Sequence, residues 1–219
     1  MNEPDFVRAT RASYDAVAAD YAARFRGELD AFPLDRALLA GFAELVRAAG
    51  AAPIADIGCG AGAVTAYLNA IGAAAFGIDL SAGMIDQARK AYPELRFEVG
   101  SMLALDLPEG SLSGIVAWYS TIHVPDEELP RVFGEFARVL VPGGYLLLAF
   151  QARMRGLHLD ELIGHQVSLD FHQRHPDQVA DTLCRAGLTV RARVLREPDE
   201  DGAYPEHSPQ AFLLARLAK

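Results

Sequence analysis

The chain has 219 residues, with 20 Lys plus Arg against 29 Asp plus Glu, and so a formal net charge of −9. With 51% hydrophobic and 22% charged residues it is too apolar for a disordered tail and too charged for a membrane bundle. The acidic balance argues against non-specific nucleic-acid binding, which rests on Lys and Arg at phosphates.

From the front, Phe6, Tyr14, Val17, Ala18, Tyr21 and Phe25 recur at helical spacing up to a stop at Gly27. Pro33 opens a second helix whose apolar stripe runs from Leu34 to Val46 and stops at Gly50. The period then changes. Pro53–Ile57 reads as a strand ending in a glycine turn, with a helix behind it to about Ala70. Ala74–Ile78 is the next strand, ending at Asp79, and Ser81 caps a helix to Ala91. Leu95–Val99 and Ser113–Tyr119 are the third and fourth strands, and a helix spans Asp126–Val139. Pro142-Gly143-Gly144 precedes a fifth strand, Tyr145–Phe150. The segment from Gln151 to Pro176 has weak periodicity and is expected to be a functional cover or a short helical insert. Asp177–Ala186 is a helix, and Leu188–Leu195 and Gln210–Leu217 are two strands with no helix between them, an antiparallel pair at the sheet edge. Strands alternating with helices predict an α/β, doubly wound parallel sheet. The chain reads as one domain: N-terminal helices over 1–50, a core over 51–150, a cover insert over 151–176, and a helix with edge strands over 177–219. Its two cysteines, Cys59 and Cys184, make no disulfide framework. The polar start Met1–Arg11 has no apolar leader and no run reaches membrane-spanning length, so a cytoplasmic protein without membrane contact is expected.

The strongest signal is Asp56-Ile57-Gly58-Cys59-Gly60-Ala61-Gly62 between a strand and a helix. Glycines there let a ligand approach the backbone, and the helix N-terminus offers free N–H groups. Asp79 ends the next strand, 21 residues after Gly58, where an acid typically bonds ribose hydroxyls. Gly58-x-Gly60-x-x-Ala63 also satisfies the dinucleotide fingerprint in its G/A form. Two features favour S-adenosylmethionine: the third glycine, Gly62, and Asp56, whose carboxylate repels a pyrophosphate and attracts an ammonium or sulfonium.

These motifs, with Gly77-Ile78-Asp79-Leu80-Ser81-Ala82-Gly83-Met84 and Arg138-Val139-Leu140-Val141-Pro142-Gly143-Gly144, resemble those of the class I S-adenosylmethionine-dependent methyltransferases. The likeness is to the methyltransferase type 11 group near the ubiquinone C-methylases, and it runs from about Tyr14 to Leu148. It implies a Rossmann-like seven-stranded sheet in the order 3-2-1-4-5-7-6 with strand 7 antiparallel. It also implies S-adenosylmethionine as cofactor and S-adenosylhomocysteine as product. By the same resemblance, the loop of Gly58, Cys59, Gly60 and Gly62 holds the methionine part, and Asp79 bonds the ribose. Leu80, Met84, Ser101 and Met102 line the adenine pocket, although many relatives carry an acid where Ser101 stands. Trp118 faces the methionine moiety, and Tyr14 and Tyr21 sit on a helix that closes over the cofactor.

His123, in the loop after the fourth strand, is a candidate base, because imidazole titrates near neutrality, and Tyr119 is a second catalytic candidate. His165 and the pair His172 and His175 read as a polar face or as acceptor contacts, with no metal expected. Arg153 and Arg155 are candidate contacts to an anionic acceptor. The acceptor is expected to be a small molecule methylated at O, N or C, and the protein a monomer or homodimer. Two rival readings stand beside this one: a nicotinamide-dependent oxidoreductase, for which no Tyr-x-x-x-Lys motif is present, and a cofactor-binding module without turnover.

Overall fold

Short apolar runs that are hydrophobic at every position bury both faces of a strand, and this is the signature of a parallel sheet covered on two sides. The computed structural model describes residues 3–50, 52–152 and 156–219. Arg153 and Arg155 lie outside the described residues. The strands are β1 (Ile54–Ile57), β2 (Ala75–Asp79), β3 (Phe97–Val99), β4 (Leu112–Trp118), β5 (Leu140–Gln151), β6 (Leu157–Leu162), β7 (His165–Phe171), β8 (Leu188–Arg196) and β9 (Gln210–Leu217). The helices are α1 (Asp5–Arg24), α2 (Glu28–Ala31), α3 (Pro33–Ala49), α4 (Ala63–Ala70), α5 (Ala82–Ala91), α6 (Leu129–Val139) and α7 (Pro176–Arg185).

Seven strands form one sheet in the order β3-β2-β1-β4-β5-β9-β8. β1 to β5 are parallel, and β9 runs antiparallel between β5 and β8. This is the expected topology, with β8 and β9 as the sixth and seventh strands. Every residue of β1 is buried, and six of the seven residues of β4 are. One apolar cluster joins α3 and α4 to the sheet through Leu39, Phe42, Val46, Leu68, Val116 and Leu147. A larger one joins α6 and α7 through Phe133, Phe136, Leu183, Ile115, Leu146 and Leu213. Pro33, Pro130 and Pro176 each stand in a first helical turn, where the missing N–H costs nothing.

The insert differs from the helical alternative. Residues 157–171 form a two-stranded antiparallel hairpin, β6–β7. Leu157 and Leu159 on one strand, and Val167, Leu169 and Phe171 on the other, recur with period two. Ile163 and Gly164 both adopt positive φ (51° and 79°), as a tight hairpin turn demands. The hairpin lies over α1: Ser168 N–H donates to Ser13 Oγ (3.0 Å), and His165 Nε2 meets Asp20 Oδ2 (2.7 Å). It also reaches the loop after β4, where the His172 N–H donates to Ile122 O (2.7 Å).

That loop is pinned from below by Arg174. Its side chain is 5% exposed and donates to the carbonyls of Thr121 (3.1 Å), His172 (3.3 Å) and Val124, and to Asp126 Oδ1 (2.6 Å). Arg174→Met keeps the apolar stem but removes the donor to the Val124 and His172 carbonyls, while Thr121 O retains the Val124 N–H, at about 1–3 kcal/mol for a buried carbonyl left unpaired. We expect a loss of about 2–4 kcal/mol and a midpoint lowered by roughly 4–16 °C, read by calorimetry.

Candidate functional site

The parallel strands all end on one side of the sheet, and their C-terminal ends open into a cavity of about 1180 Å³. β1 stops because Gly58, Gly60 and Gly62 take φ of 77°, 53° and 88°. At Gly58 a Cβ would strike Ser120, whose hydroxyl donates to Ile57 O at 2.6 Å and ties the β1 and β4 turns together. Gly60 has open space where a Cβ would stand, so a ligand can approach the turn closely there. Gly62 alone of the expected cofactor residues does not line the cavity. It is pressed on Phe97, 2.7 Å from where its Cβ would stand, and so lets α4 approach β3.

Asp79 clasps two turns at once. Oδ2 accepts the Gly60 N–H (2.8 Å) and Oδ1 the Ser81 N–H (2.8 Å). Burial raises its pKa, and those two N–H donors counter the rise. Asp56 is fully buried at the end of β1; Oδ2 accepts from Thr65 Oγ1 (2.7 Å), while Oδ1 has no hydrogen-bond partner. Burial pushes its carboxyl up to about 7 despite the Thr65 bond. A buried acceptor without a donor is costly unless a ligand supplies one. Cys59 lies in the same turn, but its Sγ points back at Gly77, and burial raises the thiol well above its ordinary range, which argues against a reactive role.

Leu80, Met84, Ser101 and Met102 line the side of the cavity next to β2 and β3, and Trp118 lines the side next to β4. α1 crosses above. Asp15, which the sequence reading did not single out, accepts from Ser81 Oγ (2.6 Å) and from the Gly83 N–H (2.9 Å), fixing α1 to the turn that carries Asp79. Tyr14 and Tyr21 both face the cavity, edge to face at 5.8 Å.

His123 stands in a one-turn 3-10 helix, Thr121–His123, and is 7% exposed. Its Nδ1 is 2.9 Å from the Asp170 carbonyl, which only accepts, so that nitrogen carries the proton. Nε2 therefore accepts the Tyr14 hydroxyl at 2.8 Å. Burial pulls the imidazole down to about 4. Both nitrogens are engaged within the protein, so the ring joins α1, the β4 loop and the hairpin rather than presenting a free base. Tyr119 holds a left-handed backbone (φ 52°), and its buried hydroxyl has no partner. Among the other histidines, His158 pairs with Asp170 (2.7 Å) and His175 caps α7. Among the described residues, no three His, Cys, Asp or Glu side chains are grouped to hold a metal, and no helix is long and apolar enough to cross a membrane.

One end of the cavity went unread in the sequence. Glu28, Asp35, Arg196, Tyr204 and Glu206 meet there, drawn from α2, α3, the end of β8 and the β8–β9 connection. Nothing in their spacing foretells the meeting, since they come together only when α3 and β9 share a sheet face.

Comparison with known proteins agrees with this geometry. The profile of the family described as "Methyltransferase domain" matches residues 54–144. A malonyl-[acyl-carrier protein] O-methyltransferase of Pectobacterium atrosepticum is 32% identical over 66% of this chain and 61% of its own length. A trans-aconitate 2-methyltransferase of Escherichia coli is 34% identical over 66% of this chain and 54% of its own. The chain thus spans less than two thirds of these curated relatives. The magnesium protoporphyrin IX methyltransferase of Synechocystis PCC 6803, solved with S-adenosylmethionine bound, superposes over the full length of both chains with a TM-score of 0.71 at 14% identity, a likeness of fold. The matched residues are the strands and turns that build the cavity, and these likenesses support a class I S-adenosylmethionine-dependent methyltransferase of the type 11/25 group.

Proposed function

We propose that this protein transfers the S-methyl group of S-adenosylmethionine to a small-molecule acceptor by in-line displacement, releasing S-adenosylhomocysteine. The observation that carries the reading is the unpartnered, fully buried Asp56 Oδ1 beside a glycine turn whose central residue faces open space. An ammonium satisfies that oxygen, whereas a pyrophosphate meets a like charge there. The bound cofactor brings its own activation, a methyl group on a positively charged sulfur. The backbone from Gly58 to Gly60 and Asp56 hold its amino-acid end, Asp79 the ribose, and Leu80, Met84, Ser101 and Met102 the adenine. Trp118 and Tyr119 border the acceptor. α1, latched by Asp15 and by the Tyr14–His123 bond, covers the site and keeps water out. Alignment of this kind is worth about 7–11 kcal/mol of a barrier. We assign His123 a positioning role. The small-acceptor reading draws on the trans-aconitate and magnesium protoporphyrin IX named for its relatives.

Thermal unfolding with S-adenosylhomocysteine and with nicotinamide dinucleotides tests the reading directly. At about 100 times its dissociation constant a ligand adds about 2.7 kcal/mol, a rise of roughly 5–10 °C here. S-adenosylhomocysteine should give that rise and Asp79→Ala should abolish it. A rise with a dinucleotide alone refutes the proposal.

Asp56 sets a pH dependence. Because its folded pKa is raised, the ligand-free fold loses stability as pH climbs from the ordinary carboxylate range through about 7. Cofactor binding needs the ionised form, so affinity should rise about tenfold between about pH 6 and about pH 8. In Asp56→Asn titration calorimetry should give a weak, flat profile. The Tyr14–His123 bond is testable by a double-mutant cycle on S-adenosylhomocysteine affinity: Tyr14→Phe and His123→Ala should couple by about 0.5–1.5 kcal/mol.

A further inference from the structure

Beyond Trp118 the cavity ends in acids and aromatic rings. Tyr21, Phe25 and Tyr204 form a continuous wall, with ring centroids 4.5 Å and 6.2 Å apart. Three carboxyls, Glu28, Asp35 and Glu206, line this end, and the last two share one guanidinium, Arg196, which leaves Glu28 without a cation of its own among the described residues. That guanidinium is already committed. Glu206 takes its two terminal nitrogens at 2.6 and 2.8 Å, and Phe32 stacks on it at 4.7 Å. Asp35, 3% exposed, lies 3.2 Å from Arg196 Nε but out of line, so neither Asp35 Oδ1 nor that Nε makes a hydrogen bond. Two more buried polar atoms that line the cavity lack partners, Gln151 Oε1 and the Tyr119 hydroxyl. Asp35 Oδ1 and Gln151 Oε1 only accept, and the phenol accepts as well as donates. A ligand that completes this end brings N–H donors and positive charge, and the aromatic faces favour the same charge. Arg24 and Arg26 are exposed and line the cavity from the chain around Phe25.

We propose that the acceptor is an amine, held as its ammonium by Glu28, Asp35, Gln151 and Tyr119 against the aromatic wall; this rests on the methyltransferase reading above. The ammonium gives a proton to a carboxylate. Burial, with Glu206 and Asp35 nearby, pushes Glu28 up to about 7, a value suited to that exchange. The freed nitrogen lone pair then forms the N–C bond as the S–C bond breaks, the bonding pair stays on sulfur, and the positive charge passes to the methylated nitrogen.

The test uses the intact protein saturated with S-adenosylhomocysteine, and two probes of similar size and opposite charge. Benzylamine is an ammonium with N–H donors at neutral pH and stays unmethylated while S-adenosylhomocysteine fills the cofactor site, and phenylacetate is the anion. Trp118 is the sole tryptophan, so its fluorescence reports occupancy beside it. Benzylamine should quench Trp118 and bind about tenfold or more tighter than phenylacetate, and Glu28→Gln should weaken the cation about tenfold. Phenylacetate binding as well as the cation, or no cation binding while S-adenosylhomocysteine binds, overturns the amine proposal and leaves the methyltransferase reading standing. A Glu28→Gln variant that loses S-adenosylhomocysteine affinity assigns the carboxyl to the cofactor's own ammonium and also overturns it. Failure of the wild-type protein to bind S-adenosylhomocysteine overturns both. The comparison of the two probes on wild-type protein does not depend on any variant folding.

Discussion

The site hangs on one carboxylate. Asp79 holds the Gly60 N–H with one oxygen and the Ser81 N–H with the other, so the turn after β1 and the turn after β2 share a single anchor. Ser81 then passes the constraint on: its hydroxyl caps α5 at Met84 N (3.0 Å) and donates to Asp15 on α1. A chain of hydrogen bonds thus runs from the glycine turn to the covering helix. The remaining lone pairs of Asp79 stay available, since a carboxylate accepts at about four positions. The same group organises both turns and keeps acceptor capacity facing the cavity.

Electrostatics follows from burial. Asp56, Asp79, Glu28 and Asp35 all line one cavity, and burial raises the pKa of each. Acids held at a cost in stability are in keeping with a positively charged ligand, which repays that cost on binding. The histidine works the other way. Burial lowers His123, and its two nitrogens serve Tyr14 and the Asp170 carbonyl, so its contribution is geometric. Arg174 acts in the same way from the layer below, holding the loop that carries His123.

Much of this was legible in the residues. Periods of two and 3.6 locate the strands and helices, because a parallel strand must bury both faces and a covering helix one. The glycine turn and Asp79 stand out because positive φ and an acid at a strand end are local demands. The β6–β7 hairpin was not legible: its alternation is weak because apolar positions such as Leu157 and Ile163 are exposed, so the segment offered no clear period. Gly62 shows the limit of motif reading: it belongs to the motif by spacing, yet its space is taken by Phe97, on a strand that follows two helices later.

By itself the sequence determined the succession of strands and helices, the glycine turn and the kind of cofactor that fits it, since each rests on neighbours within a few residues; the order of the strands in the sheet was implied only by the resemblance of its motifs to a known family. Only the tertiary structure decided that His123 is a bridge, that Asp15 latches α1, and that Glu28, Asp35, Arg196 and Glu206 meet beside Trp118. Those groups are far apart in the chain and come together only through long-range packing. Their charge states depend on burial, which no local pattern of residues encodes.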